Sequence, residues 1–186
     1  SLLAAVACYL DARSNNGKWL VRMEDLDRPR ELPGAADEIL RTLEAFGFEW
    51  DDAILYQSQR TEAYQAVLEQ LQKERAVYPC GCSRKEIAQQ GRLGAEGIIY
   101  PGTCRTAFPS AHKARSIRVL THDKSIHFKD RIQGEIAQSI ADEVGDFIIR
   151  RADGLFAYQL AVVVDDAWQG ITHIVRGADL ILSTPR

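Results

Sequence analysis

The sequence predicts an α/β fold interrupted by an irregular inserted module, and three observations predict it. A β-rich apolar run, KWLVRM (Lys18 to Met23), feeds a loop rich in carboxylates and proline. Two segments with helical apolar spacing follow it. From Cys80 to about Gly134 glycine, proline and basic residues dominate, and beyond that stretch the apolar β pattern returns. At 186 residues the chain has room for one domain, or one domain with a sizeable insertion. Hydrophobic residues make up 46% and charged residues 26%, which places the chain with soluble globular proteins and away from disordered ones. No apolar run approaches membrane-spanning length, so no membrane association is expected.

Taken in order, SLLAAVACYL reads as a buried helix over Leu2 to about Ala12, ended by the turn signal SNNG. It lacks the basic flank and cleavage pattern of a signal peptide. A start inside a helix, without Met, leads us to expect preceding sequence. Lys18 to Met23 is expected to be a strand, and EDLDRPRELPG its ligand-facing loop. GAADEILRTLEAFGF carries Ile39, Leu40, Leu43 and Phe46 at helical spacing, with Gly47 as a stop. RTEAYQAVLEQLQKERA repeats the pattern with Tyr64, Val67, Leu68 and Leu71, and Pro79 is expected to break the chain. SIHFKDRIQG reads as a strand. DFIIRRADGLFAYQLAVVVDD reads as two strands around an Asp153-Gly154 turn, and ITHIVRG as a further strand. ADLILSTPR is expected to begin a helix or loop.

The net charge of −3 argues against a nucleic-acid partner, but the distribution does not. Between Cys80 and Arg131 ten Lys/Arg stand against four Asp/Glu, a local +6, and the remainder carries −9. Such a block suits either phosphate binding or a solvated basic surface.

Three of the four cysteines, Cys80, Cys82 and Cys104, fall in the basic stretch. Nothing signals export, so a reducing, cytoplasmic setting is expected and disulfides are disfavoured. Reactive redox pairs more often use C-x-x-C at a helix start. That leaves a metal: zinc takes four tetrahedral ligands and stabilises small modules with poor cores. Cys8 reads as a core thiol. By residue chemistry the fourth ligand is expected to be His112 or water rather than Tyr100, since Tyr is a rare zinc ligand and packs under the loop by default.

At this point LVRMEDLDRPRE, YPCGC, GIIYPGTCR, HFKDRIQG and FAYQLAVVVDDAWQGITHIVRGADLILSTPR together resemble the catalytic core of glutamyl-tRNA synthetases. They resemble still more a shortened paralogue within that family. The resemblance implies a class I synthetase fold: a Rossmann-like, doubly wound parallel sheet interrupted by a small zinc-bearing α+β insertion. It implies catalytic-fold segments over 1–79 and 158–186 around an inserted module at 80–157. It also implies a structural zinc held by Cys80, Cys82, Tyr100 and Cys104. The implied reaction is ATP-dependent, with Mg²⁺: the carboxylate of L-glutamate attacks the α-phosphate, and the glutamyl group passes to RNA. In the paralogue the acceptor is queuosine in the anticodon of tRNA(Asp), and a monomer is expected.

The resemblance further implies roles for individual residues. Glu24 is to pair with the substrate ammonium; on residues alone it is equally a loop carboxylate. Arg176 is to grip the side-chain carboxylate through two parallel hydrogen bonds; its alternative is a salt bridge to Asp165, Asp166 or Asp179. Tyr158 is to orient the substrate, where packing in a strand is the default. Gln159 and Asp165 are weaker candidates for the same crevice. The family's two ATP-handling motifs, one with His and one with Lys-Ser, do not occur in the 186 residues, so no catalytic residue is assigned here and those groups are expected outside the chain.

Two other readings stand beside this one. One is the core of a full glutamyl-tRNA synthetase charging tRNA(Glu); VRGADLILSTPR is less polar than those enzymes tend to be there. The other is a non-catalytic zinc module that binds RNA through its basic stretch, with steep salt dependence.

Overall fold

The computed structural model describes residues 2–27, 30–94, 97–106, 108 and 113–186. His112 lies outside the described residues. The chain opens with α1 (Leu2–Ser14), a helix where one is expected but not a buried one: none of its residues is buried, and Leu3 is 77% exposed. Only one side packs, with Ala5, Cys8, Tyr9 and Ala12 against Trp19, Val21, Met23 and Leu43. The run from Lys18 to Met23 yields a strand only at β1 (Arg22–Met23). β1 lies parallel to β2 (Leu55–Tyr56), with Arg22 opposite Leu55. The period-2 alternation survives, since Trp19, Val21 and Met23 all point inward. α2 (Ala35–Ala45) stops before Gly47, whose φ of 77° suits glycine at a helix end. α3 (Thr61–Lys73) buries Tyr64 and Leu68 completely, the residues its spacing singles out.

Pro79 does not break the chain. It sits inside β3 (Val77–Cys80), an edge strand of an antiparallel sheet ordered β3, β6 (Ser116–Val119), β9 (Ile148–Arg150). An edge strand tolerates the missing N–H. Between β3 and β9 lie α4 (Arg84–Gln90), the hairpin β4–β5 (Arg92–Gly94 and Gly97–Ile99) and α5 (Thr103–Thr106). After β6 come a second hairpin, β7–β8 (Ser125–Asp130 and Gly134–Ser139), and α6 (Ile140–Glu143). SIHFKDRIQG therefore supplies a strand and the turn of a hairpin, with Gly134 opposite Asp130.

Two expected strands are absent. FAYQLAVVVDD forms α7 (Tyr158–Gln169), closed by Gly170 in the left-handed region at φ 64°. Its valines favour a strand intrinsically, but Leu160, Ala161 and Asp165 recur as a helical face buried against α3 and β9. Tertiary burial overrides a propensity worth tenths of a kcal/mol per residue, roughly. ITHIVRG forms neither helix nor ladder strand, and Thr172, His173 and Ile174 are exposed; among the described residues no strand lies beside it to form a ladder. ADLILSTPR contributes a short 3-10 helix, Ala178–Ser183.

The architecture is thus α/β. Among the described residues β1–β2 is the one parallel pair, and the other sheets are antiparallel. One core joins α3, α7, β3 and β9 through Tyr64, Leu68, Val77, Ile149, Phe156, Leu160 and Ala161. A second lies under α1 and α2, and a third is the cysteine cluster itself. No helix among the described residues is long and apolar enough to cross a membrane.

Candidate amino-acid cavity and metal centre

A cavity of about 770 Å³ opens between α1, β1, α7 and the irregular 171–177 segment. Glu24, Tyr158 and Arg176 all line it. Each arrives from a different element: Glu24 directly after β1, Tyr158 at the first position of α7, and Arg176 from the unpaired segment. Tyr158 is therefore on a helix rather than in a strand, and it still lines the cavity. Of the three acids after β1, only Glu24 faces this space. Asp25 accepts from the backbone N–H and hydroxyl of Ser58, and Asp27 pairs with Arg151 at 2.7 Å.

Arg22 is the residue that sequence reasoning missed. Its Nη1 lies 2.7 Å from Asp166 and donates to Gln169 at 2.9 Å, and its Nη2 lies 3.5 Å from Glu24. An arginine within an apolar β run was the available signal, since a half-buried cation needs anions nearby. Burial raises the Glu24 carboxyl above the usual carboxylate range, while Arg22 and Arg176 pull it down. Burial and the Glu24 charge raise Tyr158. Asp166 is held by Arg22, so Arg176 stands in the cavity wall beside Glu24 rather than in that ion pair.

Asp165 and Gln159 do not line this cavity. Asp165 is fully buried and accepts from Gln57, from Arg60 and from the Tyr64 hydroxyl, at 2.9, 2.6 and 2.7 Å. It ties α7 to α3. Gln159 points to the opposite side, into a cavity of about 490 Å³ beside the cysteine cluster.

At that cluster the Sγ atoms of Cys80, Cys82 and Cys104 lie within 4.8 Å of one another, and all four cysteines are free thiols. The Tyr100 hydroxyl lies 3.5 Å from both Cys80 and Cys82 and accepts from the Cys104 backbone N–H at 2.8 Å. Cys80 ends β3, Tyr100 follows β5, and Cys104 lies in α5, so the cluster pins three separate elements together. α4 is set beside them by a capping box between Ser83 and Glu86, a motif legible as SRKE that the sequence reading passed over. Burial raises the Cys80 thiol, but Tyr100 and Arg118 outweigh it and bring it to about 7. Cys82 is pushed up to about 11, chiefly by burial. A tetrahedral zinc would hold thiolate sulfurs about 3.8 Å apart and a phenol oxygen about 3.5 Å from them. The four side chains fit a metal ion of that kind.

Comparisons with known proteins bear on the family. The family described as class I tRNA synthetases (E and Q), catalytic domain, matches residues 2–186. A glutamyl-Q tRNA(Asp) synthetase of Dechloromonas aromatica is 60% identical over 188 residues, covering 100% of this chain and 62% of that protein. The protein of the same name from Thiobacillus denitrificans is 60% identical over 186 residues, with the same coverage. The chain thus spans about three-fifths of the length of these curated relatives. A crystal structure of a glutamate tRNA ligase from Elizabethkingia meningosepticum, in complex with its amino acid, superposes with a TM-score of 0.81 at 25% identity, covering 97% of this chain and 41% of that one. With its whole described length matched, this chain belongs to the class I tRNA synthetases of the E and Q family, within their catalytic domain.

Proposed function

We propose that the protein carrying this chain activates L-glutamate with ATP and Mg²⁺ and transfers the glutamyl group to queuosine in the anticodon of tRNA(Asp). One observation carries the reading: Glu24, Tyr158 and Arg176 surround a single cavity that has an anion and a cation in its wall. Glutamate presents one ammonium and two carboxylates, and this wall answers two of the three. Glu24, kept in place by Arg22, pairs with the ammonium. Arg176 grips the distal carboxylate with a planar fork. Tyr158 offers a hydroxyl for orientation above the apolar floor. The relatives' names support glutamate and tRNA(Asp) as substrates.

The same reading places the chain in a doubly wound parallel sheet, with segments 1–79 and 158–186 framing an inserted module at 80–157. Cys80, Cys82, Tyr100 and Cys104 would hold zinc in that module. The ion acts as a structural cross-link, adding folding free energy to a region with little apolar core. We further propose a cytoplasmic monomer.

The test is glutamate-dependent ATP–pyrophosphate exchange by the full-length protein, followed by transfer of labelled glutamate to tRNA(Asp) with and without queuosine, and to tRNA(Glu). Exchange together with labelling of queuosine-bearing tRNA(Asp) alone is the expected result. Labelling of tRNA(Glu) would identify a tRNA(Glu)-charging enzyme instead. RNA binding without any exchange would identify a zinc module.

A further inference from the structure

Arg118 is 6% exposed, yet among the described residues no carboxylate pairs with it. Its Nη1 donates to the backbone oxygen of Asp146 at 2.6 Å, and its Nε has no hydrogen-bond partner among the described residues. The Asp146 carboxylate is already committed to the Thr121 backbone N–H and hydroxyl and to the Tyr78 hydroxyl. What Arg118 does face is the cysteine cluster. Its guanidinium carbon lies 3.8 Å from the centre of the Tyr100 ring, and the Tyr100 hydroxyl touches Cys80 and Cys82. In the β3–β6 ladder Cys80 pairs with Ser116 and Tyr78 with Arg118, so Ser116 and Arg118 share one buried face of β6.

A buried guanidinium without an anion is costly. Three thiolates around a divalent cation leave a surplus of one negative charge, and two of them, Cys80 and Cys104, are as buried as the arginine. We propose that Arg118 is the built-in counter-charge of this centre, neutralising the surplus charge of a three-thiolate, divalent-metal site while stacking on the ring of the fourth ligand. The proposal rests on the zinc reading above. Arg118 touches no substrate; it is a positioning residue acting through Tyr100 and the thiolates. Isolated buried charges of opposite sign are each unfavourable, and placed together they stabilise one another.

The experiment measures zinc affinity of the full chain by competition with a chromophoric chelator, in Arg118→Gln, Arg118→Lys and Cys82→His backgrounds. Absence of zinc binding by the unmodified chain would remove the metal reading itself. Given binding, Arg118→Gln is expected to weaken it about 10–100-fold, the range for loss of a residue that supports a metal ligand. Arg118→Lys keeps the charge and is expected to stay within about threefold of the unmodified chain. Cys82→His replaces one thiolate with a neutral ligand and removes the surplus charge. In that background Arg118→Gln should cost under about threefold. An unchanged affinity in Arg118→Gln overturns the proposal. So does an equal loss in both backgrounds, which marks a merely structural role. If Arg118→Gln does not fold, Arg118→Lys decides: retained affinity supports the counter-charge, and a tenfold loss overturns it. The visible absorption of the Co²⁺-loaded variants reports whether thiolate coordination is intact in each.

Discussion

Arg176 and Glu24 carry opposite charges in the wall of one cavity, and each is suited to one end of a zwitterionic amino acid. On the proposed reading, Arg176→Ala removes a charge-assisted, two-point contact with the substrate. It is expected to lower kcat/KM for glutamate activation by about 2–4 kcal/mol in pyrophosphate exchange. An unchanged value removes Arg176 from substrate binding. Glu24 must be ionised to hold an ammonium, and its carboxyl is held above the usual range by burial. As pH falls, it therefore takes up a proton earlier than an ordinary glutamate would. KM for glutamate should rise on acidification from a correspondingly higher pH, and Glu24→Gln should show a high KM without that limb. The stability effect has the opposite sign. A raised carboxyl opposes folding once ionised, so Glu24→Gln should leave Tm unchanged or slightly raised near neutral pH. Glu24, Tyr158 and Arg176 could be singled out from ordered motifs along the chain. Arg22 stood out only as an arginine inside an apolar β run; its partners Asp166 and Gln169 were not legible, because they lie far away in sequence.

α7 is where the sequence pattern misleads. Three consecutive valines and flanking apolar residues look like a strand, and the helix forms because α3 and β9 offer a surface for one face of it. The fully buried Asp165 locks that packing through Gln57, Arg60 and Tyr64. Asp165→Leu leaves a largely buried guanidinium without its partner. It should destabilise the fold by about 3–5 kcal/mol in denaturant unfolding, as breaking a buried pair by removing one partner does. A loss below about 1 kcal/mol would fit only a surface ion pair and would refute this account. Because α7 also supplies Tyr158 and Asp166, the same variant should weaken glutamate activation at temperatures where it remains folded. The segment after α7 shows the converse. ITHIVRG has strand propensity, but propensity yields no ladder without a neighbour to bond to.

At the scale of the molecule the three cores are unequal. The cores around Trp19 and around Tyr64 and Leu68 are built from apolar side chains, whereas the third consists of Cys80, Tyr100 and Cys104. On the proposed zinc reading, chelation should therefore abolish hydrogen-exchange protection over residues 80 to 105 and spare α3 and α7. Loss of protection throughout would show that the cluster supports the entire fold.

The sequence by itself determined the α/β class, the helices over Leu43 and over Tyr64 and Leu68, and a metal-like trio of cysteines, because these are local or motif-like properties of the chain. Only the tertiary structure decided that FAYQLAVVV is a helix, that Asp165 is an internal tie rather than a cavity residue, and that Arg118 sits on Tyr100. The reason is physical. Spacing reports which side chains share a face, but burial and charge pairing depend on what that face meets, and here its partners come from up to 147 residues away.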